Sequence, residues 1–232
     1  MRTLGLIGGT SWESTAVYYA LLNRGAAERL GPLHQPRLVL HSVDFAELAA
    51  TQARGGWDEL AEQYADITRH LRASGAEVLG ICANTMHLVA PAVAAAADGA
   101  ELVHVVDATA DGARVLGART VALLGTAYTM EKPFYADALR ERGLEVVVPG
   151  AADRADLQRI VYDELTRGIV REESRAVLLA IVARCAERGA DAALLACTEF
   201  QMLAEPGDPA AAIPLVDTTR EHVRALLDAA LA

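Results

Sequence analysis

The sequence predicts an α/β fold of two similar parallel-sheet halves related by a pseudo-twofold axis, and three observations point there. Short β-type runs alternate with amphipathic helical stretches, the signature of parallel sheets covered on both faces. Residues 74–85 can be laid on residues 188–199 without a gap. Two further pairs of segments repeat in the same order, dividing the chain into a first half at 3–116 and a second at 119–228.

Taken in order, the first strand, 3–7, is an aliphatic run closed by Gly8-Gly9. Runs at 37–43, 77–82 and 102–106 complete four strands for the first half. Between them Leu60, Tyr64, Ile67 and Leu71 recur at three- and four-residue spacing, the period of a helix with one buried face. The alanine tract at 92–97 also reads as helix. Strands at 121–124, 145–148, 192–196 and 214–216 serve the second half, and Gly207-Asp208-Pro209 is a turn. The helix at 218–232 can pack back on the first half.

The repeats correspond strand by strand. Leu6-Ile7-Gly8-Gly9-Thr10 matches Leu123-Leu124-Gly125-Thr126, and Val106-Asp107-Ala108-Thr109 matches Val216-Asp217-Thr218-Thr219. In open α/β units ligands sit at the carboxyl ends of the strands. Two such ends facing each other predict one active-site cleft between the halves, lined by equivalent turns.

Composition narrows the function. A hydrophobic share of 53% supplies ample core, while 21 basic against 31 acidic residues give a net charge of −10. With no run of Lys or Arg, that balance argues against a nucleic-acid partner and against docking on an anionic membrane. Apolar stretches are too short for a spanning helix, and with one positive charge and an apolar run far too short for a signal core at the start, no secretory leader is expected. The expected location is the cytoplasm. Cys82, Cys185 and Cys197 are too few, and odd in number, for a disulfide framework.

Three turns stand out chemically. Gly5-Leu6-Ile7-Gly8-Gly9-Thr10-Ser11 lacks the glycine spacing of a dinucleotide fingerprint, and no Gly-Lys-Ser/Thr follows it. It remains a strand-to-helix turn offering backbone amides and the Thr10 and Ser11 hydroxyls to a carboxylate, or a plain helix cap. Cys82-Ala83-Asn84-Thr85-Met86-His87 and Cys197-Thr198-Glu199 close the other two strands. A cysteine between a strand end and a helix N-terminus is expected to have a lowered pKa. The bland alternative is a buried small hydrophobe, which suits Cys185 between Val182 and Arg188. His87 is not at metal-ligand spacing from Cys82 and is expected as a helix residue hydrogen-bonded near the cleft. His34, His41, His70, His104 and His222 show no pairing, so no metal site is expected. The single lysine, Lys132, is followed by Pro133 in a first helical turn, a poor place for a pyridoxal Schiff base.

These segments resemble the aspartate/glutamate racemase family. The resemblance is carried by residues 5–15, by Asn84-Thr85-Met86-His87, by Gly125-Thr126 with Thr129-Met130-Glu131, and by Cys197-Thr198-Glu199. Val43-Asp44-Phe45-Ala46-Glu47 with Gln52, and Tyr162-Asp163-Glu164-Leu165, fit the same pattern. It implies a cofactor-independent homodimeric enzyme that moves the proton on the carbon alpha to a carboxylate. In the family two cysteines, one per half, work on opposite faces of that carbon.

The sequence departs from this pattern at Ala83, which occupies the position of the first family cysteine. The repeat pairs Cys197 with Ala83 and Cys82 with Ala196, so Cys82 is expected on the opposite face of its strand. A lone second cysteine resembles the arylmalonate decarboxylases. The resemblance therefore implies Cys197 as acid/base, with Thr10, Asn84, Thr85, Thr126, Thr129 and Thr198 holding carboxylate oxygens. Gln52 and Glu199 shape the side-chain or ammonium pocket, beside Ala83. The expected ligand is a small carboxylate or amino acid. The alternatives are a single-cysteine decarboxylase or isomerase, and a catalytically silent small-molecule-binding homologue.

Overall fold

The computed structural model describes all 232 residues. Its contacts divide the chain into two compact units, one of residues 1–105 with 222–232 and one of 106–221. Along residues 1–105 the elements are β1 (Leu4–Gly8), α1 (Trp12–Leu30), β2 (Leu38–Ser42), α2 (Phe45–Ala53), α3 (Trp57–Ala73), β3 (Val78–Ile81), α4 (Ala90–Ala96) and β4 (Glu101–Leu102). Then follow α5 (Val105–Val115), β5 (Thr120–Gly125), α6 (Ala127–Glu131), α7 (Pro133–Glu141), β6 (Glu145–Val147), α8 (Ala151–Asp163), α9 (Glu172–Glu187), β7 (Ala192–Ala196), β8 (Leu215–Asp217) and α10 (Thr218–Leu231). No helix is long and apolar enough to cross a membrane.

Each unit holds a four-stranded parallel sheet, ordered β2-β1-β3-β4 in the first and β6-β5-β7-β8 in the second. The internal repeat is visible in the register. Ile7 pairs with Ile81 in one sheet, and their repeat partners Leu124 and Leu195 pair in the other. Ala83 and Cys197 therefore each lie two residues beyond an equivalent rung.

Central strands in parallel sheets are buried on both faces, which explains the unbroken apolar runs of β1, β3 and β7. In unit 1 the two faces are easily separated. Leu4, Leu6, Val78 and Cys82 pack with Tyr18, Leu22 and Leu226, whereas Ile7, Leu79, Ile81 and Ala83 pack with Leu60, Tyr64, Ile67 and Leu71 of α3. Cys82 and Ala83, adjacent in sequence, belong to different clusters. The later turns of α10 reach β3 closely because Gly80 has no side chain; a Cβ there would lie 2.9 Å from Leu226.

The expected strand at 102–106 is shorter in the structure. β4 pairs only Glu101 and Leu102 with β3, and Val105 already begins α5. The ladder stops because the Val105 amide bonds to the His87 ring instead of a strand carbonyl. The unit division also falls at residue 105, so that α5 groups with the second unit.

Candidate active site

Within unit 1 the turn after β1 is built on glycine. Gly9 has φ +89°, and a Cβ there would sit 2.2 Å from the Val43 carbonyl oxygen. The Gly9 amide donates to the Thr15 hydroxyl at 2.8 Å, and the Ser11 hydroxyl caps α1 by accepting from the Ser14 amide at 3.1 Å. Ser11 is thus the helix cap, which leaves Thr10 for other work. The Thr10 hydroxyl lies 3.3 Å from the Tyr64 hydroxyl of α3. Burial pushes the Tyr64 phenol far above its ordinary value, so it stays protonated.

The neighbouring strand end carries Ala83, Asn84 and Thr85. The Cys82 amide still donates to the Ile7 carbonyl, and the Ala83 amide then turns back onto the Ile81 carbonyl. Asn84 is buried, and Thr85–Val89 form a 3₁₀ turn. Gln52 of α2 is buried and points its amide nitrogen at the Met86 sulfur, 3.1 Å away. Unit 1 thus gathers Thr10, Gln52, Ala83, Asn84 and Thr85 on the α2–α3 side and at the strand ends.

Unit 2 gathers the remaining residues. Thr126 caps α6 through the Thr129 amide at 3.5 Å, and the two threonine hydroxyls are 3.4 Å apart. The Ala127 amide donates to the Gln158 side chain of α8 at 2.8 Å. At the end of β7 the Cys197 thiol donates to Glu199 Oε2 at 3.0 Å, and the Thr198 hydroxyl donates to the same oxygen at 2.9 Å. All three residues are buried. One carboxylate oxygen therefore collects both neighbouring protons.

Two expectations are corrected here. Cys197 is not a lowered-pKa thiol: burial, then the charge and hydrogen bond of Glu199, push it well above its ordinary value of 9.0. The expected helix N-termini are also weak. Thr85–Val89 and Thr198–Met202 are 3₁₀ turns, and α6 has five residues. Such short elements sum few peptide dipoles, so they can offer amides but little helix field. Cys82 and Cys185 are buried in the apolar clusters, where desolvation raises both thiols.

Sequence reading missed several neighbours of these residues. Tyr64 reaches Thr10 from a helix remote in sequence. Tyr162 of α8 is raised by burial and by its neighbours Cys197 and Tyr128, with Glu199 also close. It lies in a segment that carried the resemblance, but spacing alone assigned it no part. No group of three His, Cys, Asp or Glu side chains converges in a way that could hold a metal ion.

The chain matches the Asp/Glu/hydantoin racemase family over residues 7–226. Among solved structures it is similar to a candidate Asp/Glu racemase from Yersinia pestis, with 40% identity, a TM-score of 0.92 and 100% of both chains covered. It is similar to an aspartate racemase homologue from Pyrococcus horikoshii OT3, with 31% identity, a TM-score of 0.87 and 100% of both chains covered. The fold also matches the aspartate racemase of Picrophilus torridus, at 20% identity and a TM-score of 0.75, over 99% of this chain and 94% of that one.

Proposed function

This chain belongs to the Asp/Glu/hydantoin racemase family, and from that premise we propose that it is a cofactor-independent enzyme acting on the Cα–H of a small acidic amino acid through Cys197. The observation that carries this reading is the buried Cys197 thiol donating to Glu199 at the end of β7. Thr10, Asn84, Thr85, Thr126, Thr129 and Thr198 serve the substrate carboxylate. Gln52 and Glu199 bound the side-chain or ammonium pocket.

The resting thiol is protonated, so it must first lose its proton, and Glu199 Oε2 is the acceptor in place at 3.0 Å. The thiolate then takes the Cα proton, and the electron pair moves into the carboxylate to form an enediolate. Hydroxyl and amide donors around that carboxylate stabilise the developing charge, because they are already oriented when it appears. Return of the proton from Cys197 restores the original enantiomer. Inversion needs a second proton donor, and at the repeat-equivalent position this chain carries only the methyl of Ala83. Exchange with retention is therefore the dominant expected reaction, with racemisation slow.

The protonated thiol favours one further reading. An enediolate left when an α-substituted malonate loses carbon dioxide needs only a proton delivered to one face, and Cys197 can give it. Incubation with single enantiomers of aspartate and glutamate in D2O, following Cα deuteration and chirality, tests the first reading. Deuteration with retention is the expected result. No deuteration of either substrate, together with carbon dioxide release from a malonate, would transfer the assignment to the second.

A further inference from the structure

Unit 1 contains a buried pair of histidines that the reaction outlined above leaves unused. His87 and His222 are 2% and 0% exposed, with ring centroids 5.5 Å apart. Half-buried His104 stands edge-on to His87 at 4.6 Å. His87 Nδ1 lies 2.8 Å from the Ala83 carbonyl oxygen, and the Val105 amide donates to its Nε2 at 3.2 Å. His222 Nε2 lies 2.9 Å from the Val103 carbonyl, and its Nδ1 is 2.8 Å from the Tyr18 hydroxyl.

These partners decide the proton positions. A carbonyl only accepts and a backbone amide only donates, so His87 carries its proton on Nδ1 and leaves Nε2 bare. The same logic puts the proton of His222 on Nε2, with Tyr18 donating to Nδ1. The rings are opposite tautomers. Together they grip residues 103–105 by the carbonyl at one end and the amide at the other.

We propose that His87, in its Nδ1–H form, is a positioning residue that fixes the 83–85 turn through its bond to the Ala83 carbonyl, with the Val105 amide steadying the other ring nitrogen. This rests on the reading that the turn faces substrate. The ladder cannot do the work: β3 ends at Ile81, and β4 pairs with it at only two residues. Past that point the imidazole bridges two segments that no longer share strand hydrogen bonds. Burial, followed by the neighbouring His104 and His222, holds His87 well below its usual 6.5, so the bridge persists at neutral pH. A cationic ring would aim an N–H at the Val105 N–H and break it.

Two amide substitutions separate positioning from mere support. In His87→Asn the amide nitrogen falls near Nδ1 and keeps the Ala83 bond, while in His87→Gln the amide falls near Nε2 and keeps only the Val105 bond. Each loses one hydrogen bond, so a purely structural role lowers melting temperature and kcat alike in both. Positioning predicts that Asn keeps kcat for Cα exchange within about threefold and Gln lowers it about 10–100-fold, the scale of a small misplacement. In the ligand-free parent, ¹⁵N spectra must show His87 protonated on Nδ1 and His222 on Nε2. Amide resonances of Ala83, Asn84 and Thr85 should move in the Gln variant far more than in the Asn variant. A His87 found in the other tautomer or cationic at neutral pH overturns the proposal, as do equal effects of the two variants. Should the parent show no exchange, the assigned reaction fails, while the tautomer and the resonances still decide the clamp.

Discussion

At Cys197 the same carboxylate oxygen accepts from a thiol and a hydroxyl, and each bond has a separable consequence. Cys197→Ser replaces the thiol with a far weaker base and is expected to lower exchange at least about 100-fold, measured as the rate of Cα deuteration. Cys82→Ser, within the apolar cluster of Tyr18, Leu22 and Leu226 in unit 1, should alter the denaturation midpoint instead. In Glu199→Gln the charge that raises the thiol is gone, so the pH at which Cys197 alkylates should fall. Exchange should fall too, because the proton acceptor is lost. An unchanged alkylation profile would remove Glu199 from the scheme. Ala83→Cys adds a thiol at the repeat-equivalent position and is expected to raise racemisation by at least about tenfold. Flat racemisation with weaker substrate binding would mean that Ala83 only clears space for a larger substrate. The equivalent placement of Cys197 and Ala83 was legible in the sequence because a gapless repeat aligns them. The raised thiol pKa was not, since it depends on burial and on a rotamer of Glu199 that no spacing encodes.

Among the elements, the β1–α1 turn is the most constrained. Gly9 combines a positive φ with the Val43 backbone where a Cβ would stand. Gly9→Ala should cost about 1–3 kcal/mol, read as a lower urea midpoint at unchanged slope. All eight strands were visible as short aliphatic runs, and α3 as a four-residue apolar spacing that the buried Leu60, Tyr64, Ile67 and Leu71 confirm. The fourth strand reads too long in the sequence because Val105 and Val106 are β-branched, a strand preference set against the Val105 amide donating to the His87 ring. In the sequence the turns after β3 and β7 resemble helix starts, because capping residues and apolar periodicity look alike in a 3₁₀ and an α turn over five residues.

For the whole molecule, pH exposes the cost of burying neutral imidazoles. His222 is held down to about 4 from its usual 6.5, first by burial. Between those values the unfolded chain binds a proton that the folded chain refuses, so stability is complete above 6.5 and falls as pH drops towards 4. The 2.5-unit gap corresponds to about 3 kcal/mol for this group. Urea titrations of the parent and of His222→Gln across that range should differ by a slope of this sign, and parallel curves would refute it. The two sheets and their matching order were foreseen from the internal repeat. α5, which the repeat places in the first half, groups with unit 2, and the later turns of α10 group with unit 1. That allocation has a consequence for synthesis. Unit 2 is one continuous run, 106–221, whereas unit 1 needs residues 222–232 to supply Leu226, Leu227 and the ring of His222 to its core. Nascent domains ordinarily mature from the amino end. Here the order inverts: the ribosome releases everything the second sheet requires while the first still lacks a wall, so the half that is made first is finished last.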